Sequence, residues 1–149
     1  MIDKLLKLLG FAADPPEEES AAERIRHATA VLLCEIARAD HRLRDTESAE
    51  IRGQLADAFG LSAQESAELL DRAQAAVEES VSLHEFTSVL HARMSYREKE
   101  SVVEMLWRIA LVDRDLDKYE DYMIAKIADL LYVARGDVLR IKQRVIDSL

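Results

Sequence analysis

The sequence predicts an all-α fold: a compact bundle of about seven helices preceded by a short N-terminal one. Three observations carry this. Four Gly and two Pro in 149 residues are too few for the frequent turns of a β protein, while 49% hydrophobic content suffices for one buried core. Apolar residues recur at spacings of three and four, and no segment alternates with the period of two that a surface strand requires. Ser or Asp followed three residues later by Glu, the signature of a helix N-terminus, repeats along the chain.

Ile2, Leu5, Leu6, Leu8 and Leu9 form a short amphipathic helix that Gly10 ends before a linker through Asp14, Pro15 and Pro16. Residues 1–14 are thus an arm, and 15–149 one helical domain. Asp14 suits an N-cap, with Pro15 in the first turn and Glu17 to Glu19 at the positive end of the helix dipole. The long helix that follows carries Ile25, Ala28, Thr29, Leu32, Leu33, Ile36 and Ala37 on one face and ends near Asp40. A loop over 41–45 leads to a helix over 46–59, stopped by Gly60. Ser62 with Glu65, Ser82 with Glu85 and Ser95 with Glu98 then open helices over 63–79, 83–93 and 96–112. Asp117 with Glu120 starts a helix to about 131, and Asp137 starts the last, carrying Val138, Ile141 and Val145.

The formal net charge of −9 repels phosphate backbones, so nucleic acid is excluded as a partner, and cations or basic proteins are favoured. Cys34 is the lone cysteine and sits among apolar residues, which marks it as core packing in a reducing compartment. The apolar stretch over 2–11 is broken by Asp3, Lys4 and Lys7 and is too short for a membrane span or a secretory signal. A cytoplasmic protein is expected, with the arm over 1–11 free to dock on its own domain, on a second copy as a homodimer, or on a membrane surface.

Shifting the sequence by 73 residues, from Asp40 to Asp113, aligns Leu33 with Leu106, Ile36 with Ile109 and Ala37 with Ala110. The match continues through Leu43 with Leu116, Glu47 with Glu120 and Ile51 with Ile124. Each copy reads as a helix, a tight turn bearing one inward Leu, and a returning helix, so a pseudo-two-fold pair of helix hairpins is expected. Ala37-Arg38-Ala39-Asp40 with Leu43 and Glu47, and Ala110-Leu111-Val112-Asp113 with Leu116 and Glu120, resemble the paired motif of the tellurite-resistance TerB family over roughly residues 24 to 146. The Gly which that family places after each Asp is His41 in the first turn and Arg114 in the second. The resemblance implies a small helical stress-response domain with an acidic surface proposed to hold metal cations, and membrane-proximal assemblies. It identifies no reaction.

Asp40 and Asp113 stand at helix C-termini, where an anion costs about 0.3–1 kcal/mol against the helix dipole. Two readings remain open. In one, Asp113, Asp117 and Glu120, with Asp40 and Glu47 as the weaker copy, surround a divalent cation such as Ca²⁺ or Mg²⁺ with oxygen ligands. In the other, the Asp residues accept backbone N–H bonds in the turns and Glu120 only completes a cap. The second turn is the more acidic, since Asp113, Asp115, Asp117, Glu120 and Asp121 face only Arg114 and Lys118, whereas Arg38, Arg42 and Arg44 crowd the first. It is not an EF-hand: Lys118 replaces the required Gly, and Ile124 the bidentate Glu.

Other chemistries lack their residues. His84-Glu85 begins like a zincin motif, but Ser88 stands where the second His belongs and His91 lies too far on. There is no Glu-x-x-His pair for a di-iron bundle, no Gly-rich phosphate loop, and no base at helical spacing from Cys34. Asp147-Ser148-Leu149 closes the chain where a carrier-protein attachment site would open a helix. His27, His41, His84 and His91 read as partly exposed polar residues. Trp107, Tyr96, Phe86 and Phe59 read as core, while Tyr119 and Tyr122 flank the second acidic turn and form a protein-contact patch if both are exposed. The expectation is therefore a non-catalytic, TerB-like domain that binds divalent cations or a basic protein partner through its acidic turn. The alternative is a structural adaptor for other proteins with no bound ion.

Overall fold

A computed structural model describes residues 17–38, 43–79, 82–112 and 118–149. Seven helices and no strand occur among them: α1 (Glu17–Ala37), α2 (Asp45–Phe59), α3 (Ala63–Glu78), α4 (Leu83–Arg93), α5 (Tyr96–Ala110), α6 (Lys118–Leu130) and α7 (Arg135–Asp147). The arm over 1–14 with its Asp14 and Pro15 cap, the turn residues Asp40 and His41, and Asp113 to Asp117 with Leu116 lie outside the described residues.

α1 is the centre of the bundle. Its sequence suggests one apolar face, yet from Ala28 to Ala37 every residue except Glu35 is buried, with Ala30, Val31, Leu32, Leu33, Cys34 and Ile36 wholly inaccessible. A helix apolar on all sides must be covered on all sides, and α2, α3, α4, α5 and α6 all pack against it. Thr29 enters this environment by donating its hydroxyl to the Ile25 carbonyl at 2.8 Å.

Local signals set most boundaries. α2 ends at Gly60, left-handed at φ 65°, and Leu61 N–H closes back on the Ala56 carbonyl at 3.1 Å. Ser62 and Glu65 form a reciprocal box at α3, with Glu65 N–H to Ser62 Oγ at 3.1 Å and Ser62 N–H to Glu65 Oε1 at 2.9 Å. Ser95 and Glu98 do the same for α5, at 3.2 and 2.8 Å. At α4 the expected box is half-formed: Ser82 Oγ accepts from His84 N–H at 3.1 Å, and the Glu85 N–H goes to the Ser82 carbonyl.

α7 departs from expectation. It starts at Arg135, two residues before Asp137, with Ala134 as a cap that has no side chain to offer. α5 and α7 lie side by side and run parallel, since Glu100 meets Arg140 at 2.6 Å, Glu104 meets Arg144 at 2.8 Å and Arg108 meets Ser148 at 3.4 Å, each pair 40 residues apart. α6 connects the end of α5 to the start of α7, and so returns antiparallel to both. Four of the pairs at the 73-residue offset are buried in both copies: Leu33 and Leu106, Ile36 and Ile109, Ala37 and Ala110, Ile51 and Ile124. Leu43 is half-buried against the same core.

Two glycines provide opposite tests of these helices. A Cβ at either Gly53, inside α2, or Gly60 would meet nothing within 4 Å, so only the backbone decides. Gly53→Ala is expected to stabilise by about 0.5–1 kcal/mol, and Gly60→Ala to destabilise by about 1 kcal/mol because its φ is left-handed. Urea denaturation of the two variants beside the parent checks the opposite signs.

Candidate functional site

Of the carboxylates the sequence singles out at the second turn, Glu120 lies in the first turn of α6 beside Asp121, and Asp113 and Asp117 lie outside the described residues. Tyr119 and Tyr122 are 49% and 61% exposed, and Glu120 between them is half-buried and held by contacts of its own. Asp121 faces α7, where Lys142 Nζ reaches it at 3.4 Å. The same ammonium lies 5.0 Å from the centre of the Trp107 ring, a cation–π geometry that anchors it over the core. Trp107 is buried, and its indole N–H donates to the Val138 carbonyl at 3.2 Å, tying α5 to α7 beneath this corner. Between α6 and α7 a cavity of about 240 Å³ opens over Trp107 and Val138, with Asp121, Asp129 and Arg135 at its walls.

Glu47, the counterpart in the first copy, is buried, and its Oε1 accepts the Arg44 N–H at 3.1 Å. Its carboxylate satisfies the start of α2, a role the sequence reading gave to Glu120 and not to Glu47. Among the described residues no group of three His, Cys, Asp or Glu is gathered as a metal site. Cys34 is wholly inaccessible, and burial pushes its thiol up to about 12, so it is the thiol and not the nucleophilic thiolate at neutral pH.

A second hollow, about 410 Å³, separates α1 from α3 and is lined by charges of both signs, among them Arg26, Arg72, Glu65 and Glu68. His27 borders it and meets the Phe86 ring edge-on at 6.1 Å. Burial, and then the Arg72 charge, lower the His27 pKa against a smaller opposing effect of Glu85.

Tyr96 corrects the sequence reading. It does not join the core but is 42% exposed, and its hydroxyl bridges two helices. It accepts the Ala134 N–H at 3.0 Å and donates to Asp137 Oδ2 at 2.6 Å. This is the cap that α7 lacks locally, supplied by a residue 38 positions earlier in the chain, and no pattern near Ala134 foretells it. Trp107 is core as expected, and Phe59 and Phe86 are half-buried against it.

No helix of the described residues is long and apolar enough to cross a membrane. The family model described as tellurite resistance protein TerB matches residues 26–143. That span is most of the chain, and the chain belongs to the TerB family. No curated protein and no solved structure matches it.

Two measurements follow from these contacts. Tyr96→Phe keeps the ring and removes the hydroxyl that caps α7, and is expected to lower the midpoint of chemical denaturation relative to the parent, as the loss of a helix cap does. Because the folded His27 pKa lies below its unfolded value, the unfolded chain binds the proton more readily. The His27 contribution is therefore present above the unfolded pKa of about 6.5 and is lost as pH falls through the folded one. His27→Gln should flatten the decline in stability below pH ~6.5, and denaturation midpoints of both proteins across that window check it.

Proposed function

We propose that this TerB-family chain is a non-catalytic stress-response domain of the tellurite-resistance type, acting by binding through the acidic elbow between α5 and α6. The exposure of Tyr119 and Tyr122 beside that elbow carries the reading. Two large rings in water, on a segment that also bears Asp113, Asp115, Asp117, Glu120 and Asp121, offer a basic protein segment cation–π contacts and complementary charge together. The buried Cys34 thiol favours a packing role for the lone cysteine over a catalytic one.

A divalent cation, Ca²⁺ or Mg²⁺, is the second ligand proposed for the same elbow, with Asp113, Asp117 and Glu120 supplying hard oxygen donors. The capping role of Glu47 supports an asymmetry in which the first elbow, with Asp40, is the weaker site. Two related elbows, one specialised for structure and one for binding, suit the 73-residue offset. The arm over 1–14 is proposed as the docking element for a second copy or a membrane surface, in a cytoplasmic setting.

NMR titration distinguishes the readings. Shift changes confined to residues 113–122 on adding a Lys/Arg-rich peptide, and lost in Asp113→Asn, are the expected outcome for a protein partner. The same pattern with Ca²⁺ or Mg²⁺ assigns the elbow to a cation. If neither peptide nor millimolar divalent ions move those signals, the elbow reading fails and a structural adaptor with no ion takes its place.

A further inference from the structure

The opposite end of α5 and α6 carries exposed arginines. α5 and α6 are about 22 and 20 Å long at 1.5 Å per residue, so the α4–α5 and α6–α7 turns meet about that far from the acidic elbow. The two turns are knitted there by the Tyr96 hydroxyl on Ala134 and Asp137, and by the His91 ring against Tyr132 with centroids 4.4 Å apart. Buried Lys99 reaches the same cluster through its Nζ on His91 Nδ1.

Arg93, Arg97 and Arg135 surround this junction, all exposed, and none makes an ion pair or side-chain hydrogen bond among the described residues. The carboxylates nearby are mostly engaged: Glu98 caps the Ser95 N–H, Asp137 accepts from Tyr96, and Glu100 pairs with Arg140. Asp129, on the α6 side of Arg135, is the remaining one.

Tyr132 adds a second, independent observation. α6 closes much as α2 does, with a left-handed residue past the helix, the first after Phe59 at α2 and the second after Leu130 at α6, and the next N–H returning to a carbonyl five residues back, here Val133 to Ala128 at 2.9 Å. At α2 the left-handed residue is Gly60, and at α6 it is Tyr132 with φ 62°. A side chain there is strained where glycine is not, and the ring it carries is 70% exposed. Unpaired arginines around two exposed tyrosines are the composition of an interface centre.

We propose that this end of the bundle, centred on Tyr132 with Tyr96, Arg93, Arg97 and Arg135, docks a carboxylate-rich segment of another protein. Three exposed guanidiniums with no ion pair among the described residues select an anionic partner, and the net charge of −9 repels an extended polyanion such as DNA or an anionic bilayer while a short acidic segment meets only the local patch. The proposal is independent of the ligand at the α5–α6 elbow, which lies at the other end of both helices.

Fluorescence anisotropy with a labelled peptide of repeating Glu-Glu-Leu tests it at low and moderate salt. The expected result is saturable binding that salt weakens, and that the double variant Arg93→Glu/Arg97→Glu weakens by about 10-fold or more. Tyr132→Gly, which suits the backbone there and removes the ring, should also weaken binding while urea denaturation shows the fold retained. Asp113→Asn should leave peptide affinity unchanged. The proposal is overturned if the parent does not bind the peptide at low salt, or if affinity survives both the arginine and Tyr132 substitutions. Tighter binding of single-stranded DNA or of phosphatidylglycerol vesicles than of the peptide also overturns it.

Discussion

Enclosure of the second half of α1 is the constraint on which the rest of the molecule depends. Its run Ala30-Val31-Leu32-Leu33-Cys34 exposes nothing to water, and each large side chain in it gains roughly 1.5–3 kcal/mol by being covered. No single amphipathic partner can cover such a helix. Five of the other helices pack on it, and the order in which the chain supplies them decides where each turn falls. Glu35, the one acid in that stretch, is half-buried, and burial raises its pKa against the smaller opposing effect of Arg38. The enclosure thus reaches even its polar edge.

α5 and α6 complete the cover, and together with α7 they do something further. The parallel register of α5 and α7, held at an offset of 40 residues by the Glu100–Arg140 and Glu104–Arg144 pairs, gathers the α4–α5 and α6–α7 turns at one end. Each of these pairs is exposed enough that its contribution to stability is modest. Their importance is geometric, because register decides that Tyr96 arrives beside Ala134 and that Lys142 lies over Trp107 beside Asp121. The consequence is a molecule with two chemically distinct ends, carboxylates with Tyr119 and Tyr122 at one and arginines with Tyr96 and Tyr132 at the other. Membership of the TerB family accounts for the helical framework.

Much of this was legible before any coordinates, and for definite reasons. A capping box is read from four consecutive residues, so Ser62 with Glu65 and Ser95 with Glu98 mark their helices unaided. Gly60 stops α2 through its own φ. Leu33, Ile36, Leu106 and Ile109 fall on core positions because helical periodicity leaves them no polar neighbour on that face. At the proposed binding elbow the acidic character and the flanking tyrosines were visible, but their exposure was not. Periodicity alone placed Tyr96 in the core, since a ring at an apolar spacing looks the same whether it faces inward or reaches across to another helix.

What the amino-acid sequence determined by itself is therefore the set of local decisions: seven helices, most of their ends, the apolar positions, and the family whose motif recurs at Asp40 and Asp113. The tertiary structure alone decided which side chains meet across large separations in the chain. The start of α7 depends on a hydroxyl 38 residues away, Glu47 is assigned to a cap, and Tyr132 is held left-handed against His91. Such choices follow from how rigid helices pack around α1, a global property that no short window of sequence contains.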